Sequence, residues 1–424
     1  MNQKKPVVNS WVSRPGAWCA ACVVVLAAGK NVPAQSVIYT APLVPVSPEL
    51  LRDQRQANIN NSPDVFIPAT EAPRSDLPEI FRNGPLSFRP HFDYQFLYGD
   101  GIQSSPSLRG DTAIHSLSPG FTLEYGKHWA LGYTPTFTMY SNNRFRDTVG
   151  HVASLQGAVE YNDWQFGLSQ TFSSTEQVLA ETGGQTQQQS FGTSLTASRA
   201  LNDKMSVDFG FVQSILDTDG FQGTRDWSLN AALNYQFWER LTVGVGVVLG
   251  YVDLDRGPAQ IYEQLSAHAK WRITDKVGLS VNAGGEAREF DGADTLLSPV
   301  YGLSLQYAPR ERTQLSLGMS RSVAPSLFSG AVTETTGFNA NVSQRLLEKF
   351  TLSLGASYSI TEYTQSGGQS NRRDEITSFN AALSHPLFKR GTVSLIYQFG
   401  DNRSSDGKFT YTTGQFGASF NYSF

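Results

Sequence analysis

From Leu86 to the last residue, apolar and polar side chains alternate with a period of two in about 18 segments of roughly 10 to 14 residues. No other feature restricts the fold so strongly. In "LTVGVGVVLGY" the apolar face carries Val243, Val245, Val247, Leu249 and Tyr251. In "FTLSLGASYSI" it carries Leu352, Leu354, Ala356, Tyr358 and Ile360, and in "TVSLIYQF" it carries Val393, Leu395, Tyr397 and Phe399. Ser, Thr, Gly, Asn and Gln fill the other face. Successive side chains of a strand point to opposite sides, so each segment predicts a strand with one side in apolar surroundings and one in water.

The connections alternate as well. One set is short: "GKHW" at 126, "NDW" at 162, "LNDK" at 201, "WERL" at 238, "TDK" at 274, "PRER" at 309, "LLEK" at 346 and "FKRG" at 388. The other is longer and polar, as in "SSTEQVLAETGGQTQ" from 173, "DTDGFQGTR" from 217 and "TQSGGQSNRRDE" from 364. A soluble sandwich gives no reason for this asymmetry. It is the pattern of an outer-membrane barrel with short periplasmic turns and longer external loops. Aromatic residues gather where strands meet the short turns (Tyr125, Trp129, Tyr161, Trp164, Phe237, Trp238, Trp271, Tyr307, Phe350, Phe388), as expected of amphipathic rings at headgroup depth. "LNAAL" at 229, "FNANV" at 338 and "FNAAL" at 379 each run through a short turn into an apolar strand, so the hairpin is the repeating unit. The fold expected is all-β: a transmembrane antiparallel up-and-down β-barrel of about 18 strands.

Composition agrees. Charged residues make up 17% of the 424 residues, aromatics 12%, and no apolar run is long enough to cross a bilayer as a helix. Residues 1–34 read as a signal peptide: Lys4, Lys5 and Arg14 precede an apolar run from Ala17 to Gly29, with small residues before Gln35. Cys19 and Cys22 both fall inside it, so the mature chain has neither disulfides nor thiolate metal sites. Without the leader, 29 basic residues stand against 37 acidic ones, and nucleic acid is no expected partner. Residues 35–85 carry eight prolines and read as an extended periplasmic segment: a spacer, a strap for a partner, or a plug that enters the pore. The barrel itself is assigned to 86–424.

The chain ends on "GQFGASFNYSF". Gln415, Gly417, Phe420, Tyr422 and Phe424 match the order polar, Gly, then alternating aromatics up to a terminal Phe. This resembles the C-terminal assembly signal of bacterial outer-membrane barrels, and residues 86–424 are similar in architecture to the β-barrel porin families. The resemblance implies an outer-membrane location in a Gram-negative-type bacterium, both chain ends periplasmic, and lipid and the barrel-assembly machinery as partners. The machinery would recognise the last strand by addition at an edge.

Candidate chemistry is sparse. His115 and His151 with Ser116, Ser118 and Ser154 nearby could suggest a lipase on the barrel wall, but nothing singles out a nucleophile. His91 and Asp93 share a strand face without a second histidine pair to complete a metal site. "GVGVVLG" at 244 lies within a strand and has the wrong spacing for a nucleotide loop. No enzyme activity, cofactor or metal is expected. Charges opposite the apolar stripe carry more information: Arg89, His91, Asp93, Glu124, Glu160, His268, Lys270, Arg272, Glu286 and Arg288. They are costly toward lipid and natural in a water-filled lumen, where they either pair along the wall or filter solutes by charge. A basic patch of Lys270, Arg272 and Arg288 facing Glu124 and Glu160 would set up a transverse field. Three functions remain open: passive diffusion of small hydrophilic solutes, export of an anionic polysaccharide along a basic track, and a non-conducting structural or adhesive barrel. No single loop is long enough to guarantee a constriction.

Overall fold

The computed structural model describes residues 82–424 apart from 101–109, 127, 180, 183, 292–294, 348, 366–369 and 424, with the backbone alone at 82, 177, 178, 370 and 371. The proposed signal peptide, nearly all of the Pro-rich segment and Phe424 lie outside the described residues. The strands are β1 (Arg82–Asn83), β2 (Leu86–Asp100), β3 (Asp111–Tyr125), β4 (Trp129–Tyr140), β5 (Thr148–Tyr161), β6 (Trp164–Leu179), β7 (Gly184–Asn202), β8 (Met205–Thr218), β9 (Thr224–Trp238), β10 (Leu241–Leu254), β11 (Gln260–Thr274), β12 (Val277–Phe290), β13 (Leu296–Arg310), β14 (Thr313–Pro325), β15 (Ala331–Leu346), β16 (Phe350–Gln365), β17 (Ser370–Leu387), β18 (Gly391–Ser404) and β19 (Tyr411–Ser423).

Each strand from β2 to β19 pairs antiparallel with the next, and β19 pairs with β2. Eighteen strands thus close a ring with no free edge, as the alternation and the hairpin repeat predict. β1 is a two-residue strand that turns at Gly84 and folds back on Leu86 and Ser87. At the seam Tyr94 lies opposite Phe420 and Phe92 opposite Tyr422, with Phe420 and Tyr422 stacked at 6.5 Å. Gly417 sits where a Cβ would run into the Phe96 carbonyl, so a glycine at this position lets β19 dock on β2.

The short connections fall where expected. Asn162 and Asp163 hold φ of 46° and 65°, the two-residue turn with both central residues left-handed that matches strand twist. On the opposite rim the structure differs from the expectation. Most of "SSTEQVLAETGGQTQ" is strand, not loop: β6 runs to Leu179 and β7 starts at Gly184. The same holds for "TQSGGQSNRRDE", where β16 and β17 continue to Gln365 and from Ser370. The apolar stripe stops but the ladder continues, because pairing satisfies backbone N–H and C=O groups whatever the side chains are. Polar strand extensions therefore build a collar above the apolar band.

The outward face is the apolar one: Leu229, Val245, Leu249, Leu265 and Leu395 are all largely exposed. The inward face is polar for most of its height, but toward the long-connection end it dries out. There Val248, Val252, Leu254 and Tyr262 bury one another, and Leu327 and Val332 are buried. The nearest thing this barrel has to a core is at that rim.

Candidate functional site: the inner wall and its mouth

Alternation puts the predicted charges on the inward face, and the register decides their partners. Arg89 Nε lies 3.2 Å from Glu124 Oε2 across β2 and β3. His91 Nε2 lies 3.0 Å from Thr134 Oγ1, two strands away. The ring reaches that far because Gly120 stands between them, where a Cβ would collide with it. Asp93 accepts a hydrogen bond from Asn421 across the seam. A longer relay crosses from β7 to β11. Ser198 Oγ and Asn234 Nδ2 both donate to Asp208, each at 2.6 Å, and His268 Nε2 is 2.7 Å from Asn234 Oδ1. Gly244 leaves the space for the His268 ring. Asp208 and Asn234 were not singled out from sequence. The available signal was a glycine on the strand between two long polar side chains of the inward face.

Arg288 and Glu286 sit much nearer the other rim and are almost fully buried, at 3% and 5% exposure. Arg288 donates to Glu286 Oε1 from Nε at 2.9 Å and to Gln260 Oε1 from Nη1 at 2.8 Å, and its guanidinium lies 4.6 Å from the Tyr262 ring centre. Tyr262 in turn donates to Asp226 at 3.1 Å. The supposed basic patch is therefore divided. Arg288 is level with Tyr262, eight residues along β11 from Lys270, a separation of roughly 26 Å at strand rise. Lys270 and Arg272 stay at the short-turn end, eight and six strands round the ring from Glu124 on β3 and Glu160 on β5.

The mouth at the long-connection end holds contacts that no single loop predicted. The β14–β15 loop is the hub. Ser326 Oγ and Leu327 N donate to Glu181 Oε1 at 2.7 and 2.8 Å, from the β6–β7 tip. Gln222, in the β8–β9 loop, donates from N to Leu327 O at 3.1 Å and from Nε2 to Ser326 O at 3.3 Å. Phe221 meets Phe328 edge-on at 5.9 Å. Ser329 Oγ donates to Arg256 O at 2.7 Å, in the β10–β11 loop. From β17, Arg372 Nη1 reaches the Glu181 carbonyl at 3.1 Å while it grips Asp374 with Nε and Nη2 and lies over the rings of Tyr363 and Phe409.

Geometry fixes what these contacts mean. A ring of 18 strands spaced about 4.8 Å and tilted about 40° is roughly 36 Å across. β7 and β15 are eight strands apart in that ring, one short of diametrically opposite. Tips of four or five residues can meet from there only by bending in over the lumen on their strand extensions. Ser326 and Asp374, at 0% and 1% exposure, show that the junction is dry. Among the described residues, several interlocked tips thus bridge the mouth.

The lipase-like candidates are not brought together. His115 and His151 lie on the outward face, where Nδ1 of each is held by a tyrosine, Tyr94 Oη at 2.8 Å and Tyr133 Oη at 2.9 Å. Ser116, Ser118 and Ser154 face inward on the other side of the wall; Ser118 bonds Thr136 at 2.9 Å. His91 and Asp93 likewise turn to separate partners. A closed barrel, apolar outside and polar within, is the class of structure that crosses a membrane without a helix.

No protein-family model matches the chain, and no curated protein matches its sequence. Among solved structures it is similar to the outer membrane protein OpdK from Pseudomonas aeruginosa, at 13% identity and a TM-score of 0.43 over 80% of this chain and 98% of that one. It is similar to OccAB4 from Acinetobacter baumannii at 13% identity and 0.43, with the same coverage. The siderophore receptor PirA from Pseudomonas aeruginosa gives 10% and 0.41 over 79% of this chain and 80% of that one. At such values nothing about solute or transport is carried over to this chain.

Proposed function

We propose that this chain is an outer-membrane channel for passive diffusion of small hydrophilic solutes, its external mouth narrowed by the interlocked loops. The supporting observation is the closed 18-stranded ring with an apolar outer wall and a largely polar inner one, which has no use for so many inward polar groups unless water reaches them. Short turns and both chain ends lie on the periplasmic side in this reading, the signal peptide is removed, and the last strand serves assembly. Lys270 and Arg272 facing Glu124 and Glu160 across the ring bias ions and polar solutes as they pass. Catalysis is no part of it. The division of Arg288 from Lys270 speaks against a continuous basic track for an anionic polysaccharide.

The mouth junction favours a second reading, a barrel that stays closed until its loops part. Single-channel recording of the purified protein in planar bilayers separates the two. Steady steps in the unmodified protein support the diffusion channel. Silence in folded, inserted protein, with steps once Glu181 is replaced, supports the closed barrel; silence from both sinks the channel.

A further inference from the structure

Below the mouth, parts of the inner wall are open to water. Asn339 and Asn341 on β15, Ser357 on β16 and Asn380 on β17 are exposed, and on β5 even Val152 is 46% exposed. The seam of the ring is different. Ser394 on β18, Ser419 on β19 and Gln95 on β2 stand in one inward row, and they are only 4%, 3% and 9% exposed. Ser384 and Ser116 end the row and Gly417 stands above Ser419, all too short to cover it. Asn234 is also buried low on the wall, but under its own partners Asp208 and His268. Higher on the seam, Nε2 of Gln398 is buried with no hydrogen-bond partner among the described residues. A polar wall that faced only open water would be buried nowhere along this row.

We propose that the Pro-rich residues 35–81 of this same chain lie along the inner face of the β18–β19–β2 seam. The place where the described chain begins selects that occupant. β3 takes one edge of Leu86 and Ser87, so β1 lies on the other, the edge that β19 takes from His91 upward. β1 is antiparallel to β2, so traced back from Arg82 the chain climbs toward the end of β19, which is reached four residues above Ser87. There it has to leave the sheet. Outward is lipid, where Asp76 and Glu79 are costly, and inward is the buried row. β19 has 13 residues, and residues 35–81 are more than three times as many, enough to follow the seam from foot to mouth. Extended Pro-rich chain has backbone carbonyls without partners and few N–H groups to satisfy, and Gln398 offers it an amide donor. The inference rests on the channel reading: the segment narrows the lumen from one side and leaves the exposed wall of β15–β17 to solutes.

The test uses the full chain in barrels that keep their folded gel mobility. Ser419→p-benzoylphenylalanine puts a photo-cross-linker on the seam, and Ser357→p-benzoylphenylalanine puts one on the exposed wall as the control. After irradiation and digestion, adducts between position 419 and peptides from 35–81, with none from position 357, support the proposal. Adducts confined to the strands overturn it, as do equal adducts from both positions or an adduct to a second chain. A smaller probe guards against displacement of the segment by the bulky side chain. Beyond the leader the chain has no cysteine, so Ser419→Cys and Ser357→Cys are each treated with a water-soluble maleimide. Slower labelling at 419 is expected, and labelling as fast as at 357 overturns the proposal. All of this is read by mass rather than by current, so failure of the channel reading shows separately, as silence in the bilayer.

Discussion

The inner wall near the short turns and the mouth at the far rim are built from the same polar residue types, yet they hold together in different ways. On the wall, partners are one or two strands apart: Arg89 with Glu124, His91 with Thr134, and the Asp208 relay passed from strand to strand. Those contacts follow from the ladder's register and stay wet. At the mouth, Glu181 and Ser326 are separated by eight strands and 145 residues, and the contact is dry. The wall can lose a pair and remain a wall, because the backbone ladder carries it. The mouth has no ladder across it, so its closure depends on a few side chains.

That contrast can be broken most forcefully at Arg372. Arg372→Ala leaves Asp374 buried without its guanidinium, a loss of about 3–5 kcal/mol for a broken buried pair. The expected result is much faster hydrogen exchange at 179–186 and 325–332, with the barrel strands below unchanged; uniform exchange would mean that mouth and wall are one unit. Glu181→Ala comes next. It orphans the Ser326 hydroxyl and the Leu327 amide, about 1–3 kcal/mol, and single-channel conductance should rise, whereas Glu181→Gln keeps an acceptor and should change less.

On the wall, Asp208→Ala removes the acceptor shared by Ser198 and Asn234. About 1 kcal/mol of stability is at stake, read as a small drop in the denaturant midpoint, and the mouth's exchange should not respond. Smallest of all is Arg89→Gln, since the Arg89–Glu124 pair is 20% and 24% exposed and worth about 0–1 kcal/mol. Its melting behaviour should match the parent, while the reversal potential in a salt gradient moves toward cation preference as a positive lumen charge is lost. A melting shift as large as that of Arg372→Ala would erase the distinction between wall and mouth.

Much of this was legible beforehand. Val243 to Tyr251 and Val393 to Phe399 announce strands, Asn162–Asp163 announces a turn, and the alternation assigns Arg89, Glu124 and Lys270 to one side of the wall. Period two is a local property, and a residue's face follows from its neighbours. Which groups meet was less legible. Placing Arg288 with Lys270 by sign of charge failed because strand direction sets them at opposite ends, and the serines beside His115 and His151 in sequence are the ones on the wrong face.

The sequence by itself determined that the chain forms alternating strands, that there are about 18 of them, and which side of each is apolar, since backbone hydrogen bonding and side-chain solvation act over a few residues. Only the tertiary structure decided that Glu181, Ser326 and Arg372 meet over the mouth and that Asp208, Asn234 and His268 join along the wall. Both depend on inter-strand register and on closure of the ring, which place residues many strands apart within reach and leave no mark in the pattern along the chain.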